Sequence, residues 1–155
     1  MTVRILIDAD ACPVKDEVYR VAWRLNIAVA VVSNSPIRVP DHPLITRHVV
    51  SDSFDAADDW IAERADADAV VITSDILLAD RCLKAGASVI GNTGRAFTAG
   101  SIGPAIATRA IMADLRAGVG VAGSAGIGGP KPFTAADRSR FLQTLDSTLI
   151  RLLRR

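Results

Sequence analysis

Cysteine, aromatic residues and an excess of one charge are all scarce in this chain, and each scarcity argues against a class of function. Only Cys12 and Cys82 carry thiols among 155 residues, and their spacing matches neither a zinc framework nor a disulfide scaffold. A reducing compartment is the simpler setting for them. Aromatics make up 5% of the residues and the formal net charge is +1. That gives little support for strong single-strand binding, which uses basic grooves and stacking platforms, although a local basic patch stays open. No apolar run approaches the ~20 residues that span a bilayer. Asp8 and Asp10 interrupt the N-terminal region before an apolar segment of useful length forms. No signal peptide is therefore expected, and the expected location is cytoplasmic, with no membrane partner.

What is present suits a globular protein. The hydrophobic fraction is 50% and the charged fraction 23%, ordinary for a single folded domain. A chain of this length buries roughly 70% of its unfolded surface and needs no disulfide staples. Val3–Ile7 is a short, continuous, β-branched run that predicts a fully buried strand. Pro13–Leu25 keeps helical spacing, and Ile27–Val32 predicts a second buried strand, which implies a right-handed parallel strand–helix–strand unit. Ser33–Arg47 is a long polar connection with three prolines. A short third strand is expected over His48–Ser51, a helix over Phe54–Ala65, and a fourth strand over Ala69–Thr73. Ile76–Ala85 reads as a helix stopped by Gly86, and Ser88–Ile90 as a fifth strand. Beyond these, Pro104–Ala117 predicts a helix, residues 118–130 a flexible glycine-rich linker, and Thr134 caps a final helix reaching about residue 154. The expected fold is thus one α/β domain over 1–155: a doubly wound, mainly parallel five-stranded sheet of order 3-2-1-4-5, with C-terminal helices and a core of about 1–117.

In such a sheet, ligands bind at the carboxyl ends of strands where the strand order reverses. That switch point lies between the first and fourth strands, which end at Asp8 and Asp75. Asp10 follows Asp8 by two residues. Asp55, Asp58 and Asp59 share one face of the helix after the third strand, and Asp80 lies about one and a half turns into the helix after Asp75. Convergent carboxylates repel one another unless protons or a cation neutralise them. Hard oxygen donors suit Mg²⁺ or Mn²⁺, ions that keep several waters and grip phosphate. Metal-assisted attack of water on a phosphate ester is the implied chemistry. Taken singly, Asp55 also reads as a helix cap, Asp58 and Asp59 as first-turn acids, and Asp80 as a solvated helix residue. A carboxylate closing a buried strand, as Asp8 and Asp75 do, has few other reasons to be there.

Other signals are weaker. Cys12 precedes a helix N-terminus, which favours a thiolate, but neighbouring acids oppose it; Cys82 falls in a core pattern. His42 and His48 lie in or beside the long loop without partner spacing. Gly118-Val-Gly-Val-Ala-Gly123 satisfies a dinucleotide pattern literally but lacks the preceding strand and following helix. Lys15, Arg38 and Lys131 are the candidate phosphate-binding cations, with Arg47 and Arg138 as further possibilities; Lys131-Pro132-Phe133 would deliver its charge on the glycine-rich arm.

IDADACPVKDEVYRVA, FDAADDWIAE, ITSD followed by LA, and GGPKPF together resemble the YaiI/YqxD family of bacterial proteins, through almost the whole chain. That family is placed within the PIN-like superfamily, whose better-known members are metal-dependent nucleases. The resemblance implies Asp8, Asp58 and Asp75 as catalytic metal ligands, with Asp10, Asp59 and Asp80 as further metal ligands in supporting roles, and RNA or DNA as substrate. Asp58 or Asp59 stands where many PIN domains use glutamate, and Leu77 where proline is expected in many relatives. Two other readings remain open: a non-catalytic PIN-like module that binds RNA or a protein, and a haloacid-dehalogenase-type phosphatase with Asp8 as nucleophile and Asp10 as acid/base. In the latter, the carboxylate pair Asp58-Asp59 precedes Lys84, the wrong order for that chemistry.

Overall fold

The computed structural model describes residues 2–53, 55–119 and 132–155. The elements run β1 (Arg4–Asp8), α1 (Lys15–Leu25), β2 (Ala28–Ser33), β3 (Ile45–Val49), α2 (Ala56–Arg64), β4 (Ala69–Ile72), α3 (Ile76–Lys84), β5 (Ser88–Ile90), β6 (Ala96–Phe97), α4 (Ala99–Val119) and α5 (Ala135–Leu153). One sheet has the order β3-β2-β1-β4-β5-β6. The first five strands are parallel and β6 runs antiparallel to β5. The doubly wound expectation holds, and the sheet gains a sixth strand.

The alternation of side chains along β1 explains the layers. Ile5 and Ile7 face one side and Leu6 the other, and all three are buried because β1, paired with β2 and β4, is a central strand with helices packed on both faces of the sheet. Ile5 and Ile7 belong to a core shared with Val14, Val18 and Ala22 of α1 and Phe141, Leu145 and Leu149 of α5. Leu6 belongs to the opposite core, with Ile61 of α2, Leu78 and Cys82 of α3, and Ile102 of α4. Asp8 shares the parity of Leu6, so its carboxylate belongs to the α2/α3 flank of the sheet edge.

Differences from the sequence expectation have local causes. β3 begins at Ile45 instead of His48, and only Ile45 is buried along it. It is an edge strand, and its exposed Thr46, Arg47 and Val49 conceal it from a search for apolar runs. β6 has two residues, too few for a periodic signal. α4 starts five residues before Pro104, because Thr98 and Ser101 exchange side-chain hydrogen bonds ahead of it (2.9 and 3.1 Å). Pro104 thus sits inside the helix, at the cost of one backbone bond. α1 starts at Lys15, with Pro13 and Val14 in the turn before it. Phe54, Lys131 and most of the glycine-rich linker, with its literal dinucleotide pattern, lie outside the described residues.

Candidate acidic site at the carboxyl edge of the sheet

The carboxyl ends of β1 and β4 are adjacent, with Ile7 in register with Ile72. One residue further on, Thr73 Oγ1 donates to Asp8 Oδ2 at 2.8 Å and accepts from the Asp75 backbone N–H at 3.0 Å. A single buried hydroxyl thus ties the two strand-ending acids together. Asp75 then caps α3: its Oδ1 accepts from the N–H groups of Leu77 (3.0 Å) and Leu78 (3.2 Å), satisfying donors that the first turn leaves unpaired. A proline in place of Leu77 would forfeit one of these donors. Asp10 accepts at Oδ2 from the Asn34 backbone N–H at 2.8 Å, tying the β1–α1 turn to the β2–β3 connection. That turn carries Ala11 at φ 62°, a left-handed conformation that costs an alanine about 1 kcal/mol.

α2 brings the third acid. Asp55 occupies its N-cap position without a side-chain cap bond, and Asp58 is half-buried in the first turn. Burial is the chief cause that raises the Asp58 carboxyl, from 3.8 to about 6, followed by the charges of Asp75, Asp8 and Asp55; Arg81 opposes them. Burial also raises Asp8, with Asp75 and Asp10 adding to the effect and the Thr73 hydrogen bond opposing it. Asp8, Asp58 and Asp75, from three separate elements, therefore act on one another electrostatically.

The other two acids are drawn elsewhere. Asp59 pairs with Arg81 of α3 at 3.0 Å, and Asp80 pairs with Lys84 one turn along its own helix at 2.9 Å. Among the described residues, no three His, Cys, Asp or Glu side chains are gathered closely enough to hold one ion as they stand. Of the candidate cations, Lys15 donates from Nζ to the carbonyls of Cys12 (2.9 Å) and Ala9 (3.4 Å), clamping the acidic turn. Exposed Arg38 lines a cavity of about 300 Å³ with Lys15 and Tyr19. Arg47 donates to the Ile37 carbonyl, and Arg138 pairs with buried Glu17 at 3.1 Å. Lys131 lies outside the described residues.

Neither cysteine is activated. Burial is the leading cause that raises both thiols, Cys82 to about 11. The histidines have partners that their spacing concealed. His42 Nδ1 accepts from the Leu44 N–H, and its ring lies 5.3 Å from that of Trp23. The His48 ring is 4.4 Å from Trp60, and burial, with Arg64 nearby, lowers its pKa. Sequence reasoning overlooked Thr73 and Asn34. Thr73 was hidden as the last residue of an apolar run, although a hydroxyl placed between a strand and an Asp-capped helix is a readable signal.

These features define a doubly wound α/β protein with an acidic centre at its topological switch point. The chain belongs to the YaiI/YqxD family, described as uncharacterized, whose match covers residues 6–151. It is 69% identical over 150 residues to a UPF0178 protein of Sphingopyxis alaskensis, covering 97% of this chain and 95% of that relative. It is also 57% identical over 148 residues to a UPF0178 protein of Jannaschia sp. (96% and 93%) and 54% identical over 152 residues to one of Nitrobacter winogradskyi (98% and 94%). No solved structure matches the chain. Among the described residues, no helix is long and apolar enough to cross a membrane.

Proposed function

We propose that this protein is a Mg²⁺- or Mn²⁺-dependent phosphodiester hydrolase acting on RNA or DNA. The observation that carries the reading is the convergence of Asp8, Asp58 and Asp75 at the switch point, where burial first, and then the neighbouring carboxylates, raise Asp8 and Asp58, the latter to about 6. Such crowding stabilises neither the fold nor the apo site, and a divalent cation relieves it. The donor chemistry fits. Asp8 spends Oδ2 on Thr73 and Asp75 spends Oδ1 on α3, which leaves each an oxygen without a hydrogen bond among the described residues. Two or three carboxylate oxygens completed by water form the kind of shell Mg²⁺ accepts. When bound, the ion supplies charge neutralisation on a phosphoryl oxygen and a lowered pKa for water. The resemblance to PIN-like nucleases points the same way.

The chain's own residues do the rest. Thr73 holds Asp8 and the start of α3 in fixed relation. Lys15 keeps the Asp8–Pro13 turn closed by donating to the carbonyls of Ala9 and Cys12. Incubating the purified protein with Mn²⁺ and single-stranded RNA or DNA is the test. Cleavage that disappears in Asp8→Asn and Asp75→Asn supports the reading; no cleavage, or cleavage that survives both substitutions, overturns it.

The pairing of Asp59 and Asp80 with cations favours one second reading, a PIN-like module that binds RNA or a protein without turnover. Metal-independent binding with no cleavage is its signature. The phosphatase alternative loses ground, because Lys84 is 76% exposed and bound to Asp80.

A further inference from the structure

We propose that the exposed face of α4 is the interface of a homodimer, in which α4 packs antiparallel against α4 of a second copy of this chain. The acidic centre described above makes no use of this face.

From Ala105 to Leu115, eight of the eleven residues are apolar. A helix that is apolar all round belongs in an interior, because water opposes the exposure of every side of it. Only the start of α4 has such a place. Ile102 is buried and Ile106 partly buried in the core shared with α2 and α3. From Ala107 to Leu115 every residue except Met112 is exposed, and no described element covers them. Ile111 and Leu115, one turn apart, are 59% and 45% exposed. The helical repeat puts these two on the side opposite Ile102 and Ile106, so the core that holds the latter pair cannot reach them. Helices in proteins draw most of their stability from a packed face, and a projecting stretch this short is marginal without one.

The pattern of the face identifies a second copy as its occupant. Pro104, Thr108, Ile111 and Leu115 follow one another at intervals of 4, 3 and 4 residues, the heptad spacing of a seam between two helices. None of the four is charged, and Arg109 and Asp114 fall to either side of the seam, as suits the centre of an interface. The seam is small at one end and bulky at the other. Pro104 and Thr108 line a hollow of about 330 Å³ whose other walls are Ile76, Ala105, Arg95 and Arg109, whereas Ile111 and Leu115 stand out into solvent. An antiparallel second copy sets Leu115 against Pro104 and Ile111 against Thr108. The bulky end of each protomer then meets the small end of the other, a reciprocal contact of the kind a two-fold axis requires. Within the chain, residues 120–131 hold five glycines and only two large apolar side chains, Val121 and Ile127, too little to take the place of such a seam. The paired stretch is about 17 Å long. That places the interface at the small end of specific contacts and gives a dimer in reversible exchange with its monomer.

Sedimentation equilibrium of the full chain across the micromolar range is the test, and a monomer–dimer equilibrium is expected. Ile111→Arg and Leu115→Arg should each weaken the dimer roughly tenfold or more. Leu153→Arg, at an apolar residue of α5 that is 48% exposed, should leave it unchanged. Cysteine cross-linking reads the direction of the helices, and the native Cys12 and Cys82 are buried and do not compete. In an antiparallel pair the two copies of residue 115 lie about 16 Å apart, beyond the reach of a disulfide. Leu115→Cys should therefore cross-link to Pro104→Cys in a mixture and not to itself. A monomer at every concentration overturns the proposal. If Ile111→Arg then lowers the melting temperature, residues 120–131 are the cover; if it does not, the face belongs to a different protein. A dimer that survives both arginine variants, one weakened as much by Leu153→Arg, or self-cross-linking of Leu115→Cys also overturns it. None of these readouts involves cleavage, so they stand or fall apart from the hydrolase reading.

Discussion

Asp58→Asn is expected to stabilise the protein at neutral pH, by an amount that shrinks as the solution is acidified. Asp58 titrates near 6 in the folded chain against an ordinary 3.8, so the folded state prefers the protonated form. Between those two values the folded state binds more protons than the unfolded state, and stability therefore falls as pH rises through that window. The penalty is absent below about 3.8 and complete above about 6. For a fully enclosed carboxyl it would come to roughly 3 kcal/mol. Asp58 keeps substantial contact with solvent, and screening reduces the figure to on the order of 1 kcal/mol. Asparagine carries no charge and removes that penalty. In a chain of this size, ~1 kcal/mol moves the melting temperature by roughly 2–4 °C. Thermal denaturation of both proteins at pH 7.5, 6 and 4.5 in EDTA should show the gap largest at pH 7.5 and narrowing below pH 6. A gap that does not change with pH, or an asparagine variant less stable at pH 7.5, refutes the electrostatic account of this acid.

Three further outcomes follow from the same geometry. Mn²⁺ at about a hundred times its dissociation constant should raise stability by about 2.7 kcal/mol, reversibly with EDTA; a Mn²⁺-induced rise in melting temperature that Asp8→Asn leaves undiminished would separate the ion from these acids. Thr73→Val removes the donor to Asp8 and the acceptor for the Asp75 N–H. It should cost about 1–2 kcal/mol of stability, and, since that bond holds the Asp8 carboxyl down, shift the acidic limb of any cleavage profile to higher pH; an unmoved limb contradicts that positioning role. Gly94→Ala must fit a Cβ 2.6 Å from the α5 backbone at φ +91° and should destabilise by about 2–4 kcal/mol in urea unfolding. A near-neutral effect would show that the Gly91–Gly94 turn does not sit tightly on α5.

What could be read from residues alone were features whose cause is local. Val70, Val71 and Ile72 form a run buried on both faces, and Ile5 to Ile7 another, because a central parallel strand meets apolar layers above and below. Thr134 and Asp137 form a capping box that three-residue spacing announces, and both hydrogen bonds are present at 3.0 and 3.1 Å. Strand order followed from right-handed crossovers, and with it the meeting of Asp8 and Asp75. Edge strand β3, two-residue β6 and the early start of α4 left no such trace, since each depends on a neighbour or a capping exchange more than on its own period.

The sequence by itself therefore determined the sheet's central strands, the helices that cover it and the edge at which acidic groups gather, because hydrophobic period and capping are properties of neighbouring residues. Only the tertiary structure decided which acids remain at that edge. The packing of α2 against α3 gives Asp59 to Arg81 while leaving Asp58 half-buried facing Asp8 and Asp75, and the Gly91–Gly94 turn is seated on α5 by the Thr144 hydrogen bond to the Gly94 carbonyl. Burial and ion-pair partners are set by contacts between distant segments, and no spacing along the chain encodes them.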